Sequence, residues 1–277
     1  MPLWVRLERR ILIIMTNAPI PRRTAQEQFD RQAEHYDTQW SAWSDESLRW
    51  LLANADCRPT DIALDVATGT GFTALAFAPR VRSVVGLDVS PGMLAQALPR
   101  AETQGIKNIT FQEGAAESLP FPDATFDLVT CRIAPHHFLS VPQFLSETAR
   151  VLKSGGRLLL ADTCVPDDAP ETDAWQNGVE ALRDPSHVRN YTPREWRQFV
   201  ADAGLTLEHL SSAGGGIPIV LGAWLTKAGC TPEQAAAVRR QFETAPESAV
   251  RAFQIASRPD GDIGFTWQRI LLKAARA

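Results

Sequence analysis

The sequence predicts a doubly wound α/β fold: a mostly parallel sheet with helices on both faces. Three observations predict it. Between residues 62 and 161, short continuously apolar segments alternate with stretches of helical spacing, the pattern of strands buried on both faces. The first apolar segment runs directly into a turn of small residues, Asp65-Val66-Ala67-Thr68-Gly69-Thr70-Gly71. The 277 residues are 44% hydrophobic and 22% charged, which suits a packed domain with chain enough for a large core. Right-handed crossovers then wind the sheet.

Taken in order, residues 1–24 stand apart from the fold. Arginines flank the apolar residues 11–15, and Pro19 and Pro21 break any helix. This segment reads as a flexible N-terminal arm, an extension upstream of a working start at Met15, or an amphipathic membrane anchor. From Ala25, the residues Phe29, Gln32, Ala33 and Tyr36 recur at three and four positions, a helix. A second helix over 47–52 leads to a turn at Pro59. Strands are expected over 62–66, 81–87, 108–112, 126–131 and 157–161, with helices over 72–77, from Ser90-Pro91, and over 141–152. Ser90 is a natural N-cap, and proline suits the first helical turn.

After Asp162 the pattern changes. Residues 174–183 read as a helix. Thr192-Pro193-Arg194-Glu195 is a capping box opening a helix that runs to Ala203 and stops at Gly204. A strand follows over 205–210. Thr231-Pro232-Glu233-Gln234 repeats the cap, so residues 213–258 read as a helical insertion before a last strand over 263–272. Seven strands result, in one domain over 25–277. Trp224, Phe242 and Phe253 in the insertion fit a lid over a pocket or plain core equally.

Composition excludes several classes. The longest apolar run is five residues, far short of the roughly 20 that span a membrane and too short for a secretory leader. Cys57, Cys131, Cys164 and Cys230 are scattered without a CxxC pair, so a reduced, cytoplasmic protein is expected. The formal charge is −4, but residues 1–23 hold five arginines and one glutamate, so the remainder carries −8. That body has no footprint for duplex nucleic acid. No fixed-period repeat is present, which removes solenoids and propellers.

The turn at 65–71 carries the most chemistry. Small residues let the backbone approach a ligand, and the following helix offers its positive N-terminus. The spacing is not GxGxxG, so the NAD fingerprint is not met. Asp65 precedes the turn, placed to hold a cationic group or a loop amide. Asp88 ends the second strand, where it can accept both hydroxyls of a ribose. An acid facing such a loop is otherwise costly to bury.

With these residues in place, the chain resembles the class I S-adenosylmethionine-dependent methyltransferases, closest to the subgroup of ubiquinone and menaquinone biosynthesis methyltransferases. The resemblance covers residues 26–212 and implies the Rossmann-like methyltransferase fold with a helical N-terminal cover. DVATGTG at 65–71 matches the loop cradling the methionine part of the cofactor. GLDVSPGML at 86–94 matches the ribose motif, with Asp88 taking the hydroxyls and Met93 against adenine. GAAESLPFPDATFDLVTCR at 114–132 matches the adenine-side loop and fourth strand, and KSGGRLLLAD at 153–162 the turn and strand after it. The resemblance thus places Asp65, Ala67, Thr68, Gly69, Gly71, Asp88, Val89, Met93, Ala115, Ala116, Glu117 and Arg132 at S-adenosyl-L-methionine. Two residues depart from the pattern. Ala67 stands where many members have glycine, and Ala115 where an aspartate commonly reads the adenine amino group. That leaves the Ala116 amide and packing by Leu119 to hold the base. Asp127 is expected to be structural.

The segment Arg132-Ile133-Ala134-Pro135-His136-His137-Phe138 leaves the fourth strand where doubly wound sheets meet ligands. Methyl transfer mainly requires alignment and exclusion of water, and a base near neutral pKa helps when the acceptor is a hydroxyl or an acidic carbon. His137 is favoured in the pocket as the candidate base, and His136 is a second catalytic candidate; adjacent loop histidines rarely face the same way, so one lines the pocket while the other packs or bonds the backbone. A His-His metal site lacks a third ligand. Tyr36, one turn from Gln32, is a further catalytic candidate on a helix that covers the cofactor in similar proteins. Asp184-Pro185-Ser186-His187-Val188-Arg189 is expected to order its loop. The expected activity is O-methylation of a small, largely apolar molecule. C-methylation of a quinone-type ring, a non-methylating cyclase or scaffold, and an RNA methyltransferase are the alternatives.

Overall fold

The computed structural model describes residues 23–40, 45–212 and 218–277. The arm, start-site and anchor readings of the N-terminus fall on residues 1–22 and lie outside the described residues, as does the side chain of Tyr36. Helices α1 (Ala25–Trp40) and α2 (Asp45–Asn54) come first. Strand β1 (Ile62–Val66), α3 (Phe72–Phe77), β2 (Ser83–Asp88), α4 (Pro91–Thr103), β3 (Ile109–Glu113), β4 (Phe126–Arg132), α5 (Val141–Val151) and β5 (Leu152–Cys164) then alternate. Helices α6 (Pro170–Arg183) and α7 (Pro193–Asp202) precede β6 (Leu205–Ser211).

The seven-stranded sheet has the order β3-β2-β1-β4-β5-β10-β6, where β10 is Gln268–Arg276. All pairings are parallel except the two made by β10, which runs antiparallel to both β5 and β6. The order reverses beside β1, which sets the switch point there. Consecutive strand residues bury on opposite faces. Ala63, Leu128 and Leu159 join the core under α2 and α3, whereas Leu64, Val129, Leu158 and Leu160 join the core under α5 and α7. With both faces covered, these strands have no polar side to show, hence their unbroken apolar runs.

The expected caps form. The Ser90 hydroxyl accepts from the Met93 amide, and capping boxes close at Thr192–Glu195 and Thr231–Gln234. The last strand differs from expectation. Residues 263–272 split into β9 (Ile263–Phe265), which pairs with the two-residue strands β7 (Ile219–Val220) and β8 (Ala256–Ser257), and the separate β10. The insertion therefore carries its own three-stranded sheet besides α8 (Leu221–Lys227), α9 (Pro232–Glu243) and α10 (Glu247–Phe253). Trp224, Phe242 and Phe253 are almost fully buried together with Trp267, against Trp175 of α6. Phe242 and Phe253 are core, whereas Trp224 also borders a cavity, so the lid and core readings each hold for part of the cluster. Among the described residues no helix is long and apolar enough to cross a membrane.

Candidate active site

The turn after β1 is built on left-handed residues, with φ of 54° at Ala67 and 56° at Gly69. A side chain at such φ is strained, and Ala67 is the smallest that bears it. Gly69 faces open space: a Cβ built there meets nothing within 4 Å. The turn is held from below. The Thr68 amide donates to the Leu87 carbonyl at 2.9 Å. Gly86 allows that closeness, because a Cβ on it would lie 2.7 Å from the ring of Phe111 and 3.0 Å from Thr68.

Asp65 does not border the cavity, contrary to expectation. It sits behind the turn, 2% exposed, accepting from the hydroxyls of Thr68 and Thr130 at 2.7 Å each. Burial pushes its carboxyl up to about 6, against the pull of those two hydroxyls. Gly71 is likewise absent from the cavity wall and serves as the N-cap of α3, its φ 86°. Both support the turn from outside the cavity.

Asp88 does face the cavity. One carboxylate oxygen accepts the Gly69 amide at 2.7 Å and the other the Ser90 amide at 2.9 Å. Burial raises its pKa, and those amides draw it back. Each oxygen keeps acceptor capacity for a hydroxyl. Ala67, Thr68, Gly69, Val89, Met93, Ala115, Ala116, Glu117 and Arg132 complete the expected set on the wall. Glu117 takes the Leu139 amide at 2.7 Å, tying the loop after β3 to the segment after β4. Arg132 donates to the Thr73 hydroxyl at 2.9 Å, tying β4 to the first turn of α3. Leu119 is a correction: its side chain joins the core and its amide binds Glu147, so it gives the cavity nothing. Asp127 is structural, taking the Ile62 amide and Lys153. The cavity holds about 550 Å³, within the range of small-molecule sites, at the carboxyl ends of β1, β2 and β4.

Helix α1 roofs it. Asp30 accepts from the Ser90 hydroxyl at 2.6 Å and the Gly92 amide at 3.0 Å. The Phe29 ring meets His137 edge-on at 4.9 Å, and the Arg23 amide reaches the Pro185 carbonyl at 3.2 Å. Gln32 points toward the insertion, donating to the Ala228 carbonyl at 3.4 Å. A second cavity of about 100 Å³ adjoins the first, sharing Phe29, Ile133 and His137 with it.

The two histidines share one place rather than facing apart; their ring centroids are 4.2 Å from one another. His137 borders both cavities, as expected of the pocket residue. Burial and the neighbouring His136 lower its pKa to about 4, and Ser186 holds its Nδ1 from the carbonyl and the hydroxyl, at 3.3 and 3.1 Å. It is a neutral, weak base. His136 instead has its amide on one oxygen of Asp162 at 2.9 Å and its Nδ1 on the other at 2.6 Å. Burial opposes its charge, but Asp162 outweighs burial and the net shift is upward. His187 stands 5.8 Å from His136 and is pushed far down by burial and by both other imidazoles. Of the three rings, Asp162 favours the charged form of His136, while burial and the neighbouring rings disfavour it in His137 and His187. Both histidines named as candidates from the sequence thus lie together, His137 on both cavities and His136 bonded to Asp162. Asp184 accepts from the Ser186 hydroxyl and amide, and the His136 carbonyl takes the amides of Val188 and Arg189, so the 184–189 segment orders this loop as expected.

Asp162, Asp30, Phe29 and Ser186 were not read from the sequence as site residues, although Phe29 was named for its helical spacing and Ser186 within the loop-ordering segment. Asp162 alone gave a signal, an acid at the carboxyl end of a parallel strand. Among the described residues no group of His, Cys, Asp and Glu is arranged to hold a metal ion.

Comparison with known proteins agrees with this geometry. Residues 64–160 match the family described as "Methyltransferase domain". The uncharacterized methyltransferase YcgJ of Bacillus subtilis is 35% identical over 249 residues, covering 90% of this chain and 97% of that protein. Its crystal structure superposes with a TM-score of 0.78 over 84% of this chain and 98% of that one. A demethylmenaquinone methyltransferase of Symbiobacterium thermophilum is 41% identical over 152 residues, half of this chain and 59% of its own length.

Proposed function

The chain belongs to the S-adenosylmethionine-dependent methyltransferase family, and from that premise we propose that it methylates an oxygen of a small, largely apolar molecule. The observation that carries this is one continuous cavity. It runs from the Asp88 carboxylate and the glycine turn to an apolar wall of Phe29, Ile133 and Phe138, with a histidine cluster beyond. Its first half fits the cofactor. Gly69 presents bare backbone to open space, Asp88 has acceptor capacity left for hydroxyls, and the net −8 of residues 24–277 suits a cationic ligand. Asp88, residues 67–69, Met93 and Ala116 would hold the cofactor, which supplies a methyl group already activated on a sulfonium centre.

The rest of the chemistry falls to the chain. The turn and Asp88 fix the ligand in one orientation, which removes much of the entropic barrier to an in-line displacement. Phe29, Ile133 and Phe138 exclude water from the reacting centre and favour an apolar acceptor. The histidine cluster stands where the acceptor's proton must go.

A C-methylated quinone-type ring is the second reading, favoured by the likeness to the demethylmenaquinone enzyme. Incubation with methyl-labelled cofactor and a panel of phenols, carboxylates and quinols tests both. Label at oxygen, with one S-adenosylhomocysteine released per product, supports the first; label at ring carbon supports the second. No labelled product from any member, with the cofactor bound, removes both and leaves a non-methylating role.

A further inference from the structure

We propose that the second cavity seats a carboxylate carried by the acceptor, held there by Arg183 and Arg269, so that the acceptor is an apolar molecule with one anionic end. The proposal rests on the methyl-transfer reading above and names the class of acceptor for it.

The two guanidinium groups come from different parts of the fold. Arg183 is the last residue of α6 and is 8% exposed. Arg269 lies on β10, in register with Thr163 of β5. Both arginines line the second cavity, and Thr163 and Gln32 lie on the same wall. Arg183 is braced from two sides. Its guanidinium stands 4.2 Å from the centre of the buried Trp224 ring and donates to Glu180 at 3.4 Å. A guanidinium presents five N–H donors in a flat fork, which matches the two oxygens of a carboxylate.

The charge balance favours an anion over a cation. Among the described residues, Glu180 and Asp184 are the acids on this wall. Asp184 is engaged by the hydroxyl and the amide of Ser186, at 2.7 and 2.9 Å. Burial raises the pKa of Glu180 against the pull of Arg183, toward the neutral acid. Burial lowers that of Arg269 as well, yet a guanidinium starts so high that it keeps its charge. Two cations beside a small cavity carry a desolvation cost that a bound anion offsets. A carboxylate placed there accepts from both forks, whereas an ammonium group would face both.

Size and position give the shape of the ligand. At about 100 Å³ the second cavity takes an end group rather than a whole acceptor. It meets the main cavity at Phe29, Ile133 and His137. The body of the acceptor therefore lies against Phe29 and Ile133, with its carboxylate among the arginines and its methylated oxygen in the main cavity. The two polar ends point apart, and the carboxylate is the anchor rather than the atom methylated.

Binding tests this apart from turnover. Calorimetry on the full chain loaded with S-adenosylhomocysteine compares three ligands of similar shape: 4-hydroxyphenylacetate, its methyl ester, and tyramine. The acid is expected to bind tighter than the ester by on the order of tenfold or more, the size of a charge-assisted contact, with tyramine weakest. Arg269→Gln should bring the acid down to the level of the ester and leave the affinity for S-adenosylhomocysteine as it was. Arg269→Lys keeps the charge but loses the fork, so its preference should fall between; it decides the matter should the glutamine variant not fold. Equal binding of acid and ester by the wild type, tighter binding of tyramine, no binding of the acid at millimolar concentration, or a full preference kept by the folded variants overturns the carboxylate site. A chain that prefers the acid but methylates neither phenol keeps the site and loses the transfer reading. One that methylates acid and ester with equal KM loses the site alone.

Discussion

Replacing Asp65 with asparagine should make the protein more stable at neutral pH while leaving it unchanged in acid. Asp65 is 2% exposed and is held by two hydroxyls, with no cation bonded to it. Its carboxyl keeps its proton up to about pH 6 in the folded chain, against 3.8 for the ordinary group, chiefly because burial disfavours the anion. Between those two values the native state binds more protons than the unfolded one, so stability falls as pH rises through that window. A difference of about two units costs about 3 kcal/mol once the group is fully ionised. Asparagine carries no charge, and the hydroxyls of Thr68 and Thr130 can each donate or accept, so both partners survive the change. Urea unfolding of both proteins from pH 4 to pH 8, followed by the fluorescence of the eight tryptophans, reads the difference directly. The two should agree near pH 4 and diverge by about 3 kcal/mol above pH 7 in favour of Asp65→Asn. Asp88 and Glu180 are also raised by burial, but they titrate in both proteins and cancel. Parallel curves across the window, or an asparagine variant weaker at high pH, would refute the reasoning.

Asp88→Ala should weaken S-adenosylhomocysteine binding by about 1–3 kcal/mol, the loss of a strong charge-assisted contact; unchanged affinity in calorimetry would end the ribose assignment. Gly86→Ala drives a methyl to within 2.7 Å of the Phe111 ring, and overpacking of this kind costs about 1–3 kcal/mol, to be seen as a lowered thermal midpoint. Asp30→Ala removes both bonds from α1 to the start of α4, so amide exchange over residues 25–33 should speed up while that of β1 and β4 stays as it was. Equal exchange in variant and wild type would mean that the other contacts of α1 hold it alone.

How much of this was legible without coordinates follows from the range of the forces involved. The alternation of strands and helices, the capping boxes at Thr192 and Thr231 and the turn after β1 are all written in neighbours a few positions apart. The apolar strand runs were readable because β1, β4 and β5 bury both faces. The resemblance put Asp88 at the strand end beside the glycine turn, where the structure has it lining the cavity. The same local logic failed where the chain doubles back. Residues 263–272 read as one strand, because nothing local reveals that Ile263–Phe265 pairs within the insertion while β10 slips antiparallel between β5 and β6.

The sequence by itself determined the sheet, the small-residue turn after β1, and the family. Tertiary structure decided which residues act around them. Asp65 and Gly71 belong to the loop motif, yet only packing shows that they brace the turn from behind. His136 and His137 are adjacent and identical in type. What separates them is a carboxylate 26 residues away, which bonds one ring at 2.6 Å and leaves the other to Ser186. Asp30, 60 residues from Ser90, closes the roof in the same way. Helical period and capping depend on spacing along the chain, whereas basicity depends on which charges lie within a few ångströms in space, and only the folded chain fixes those.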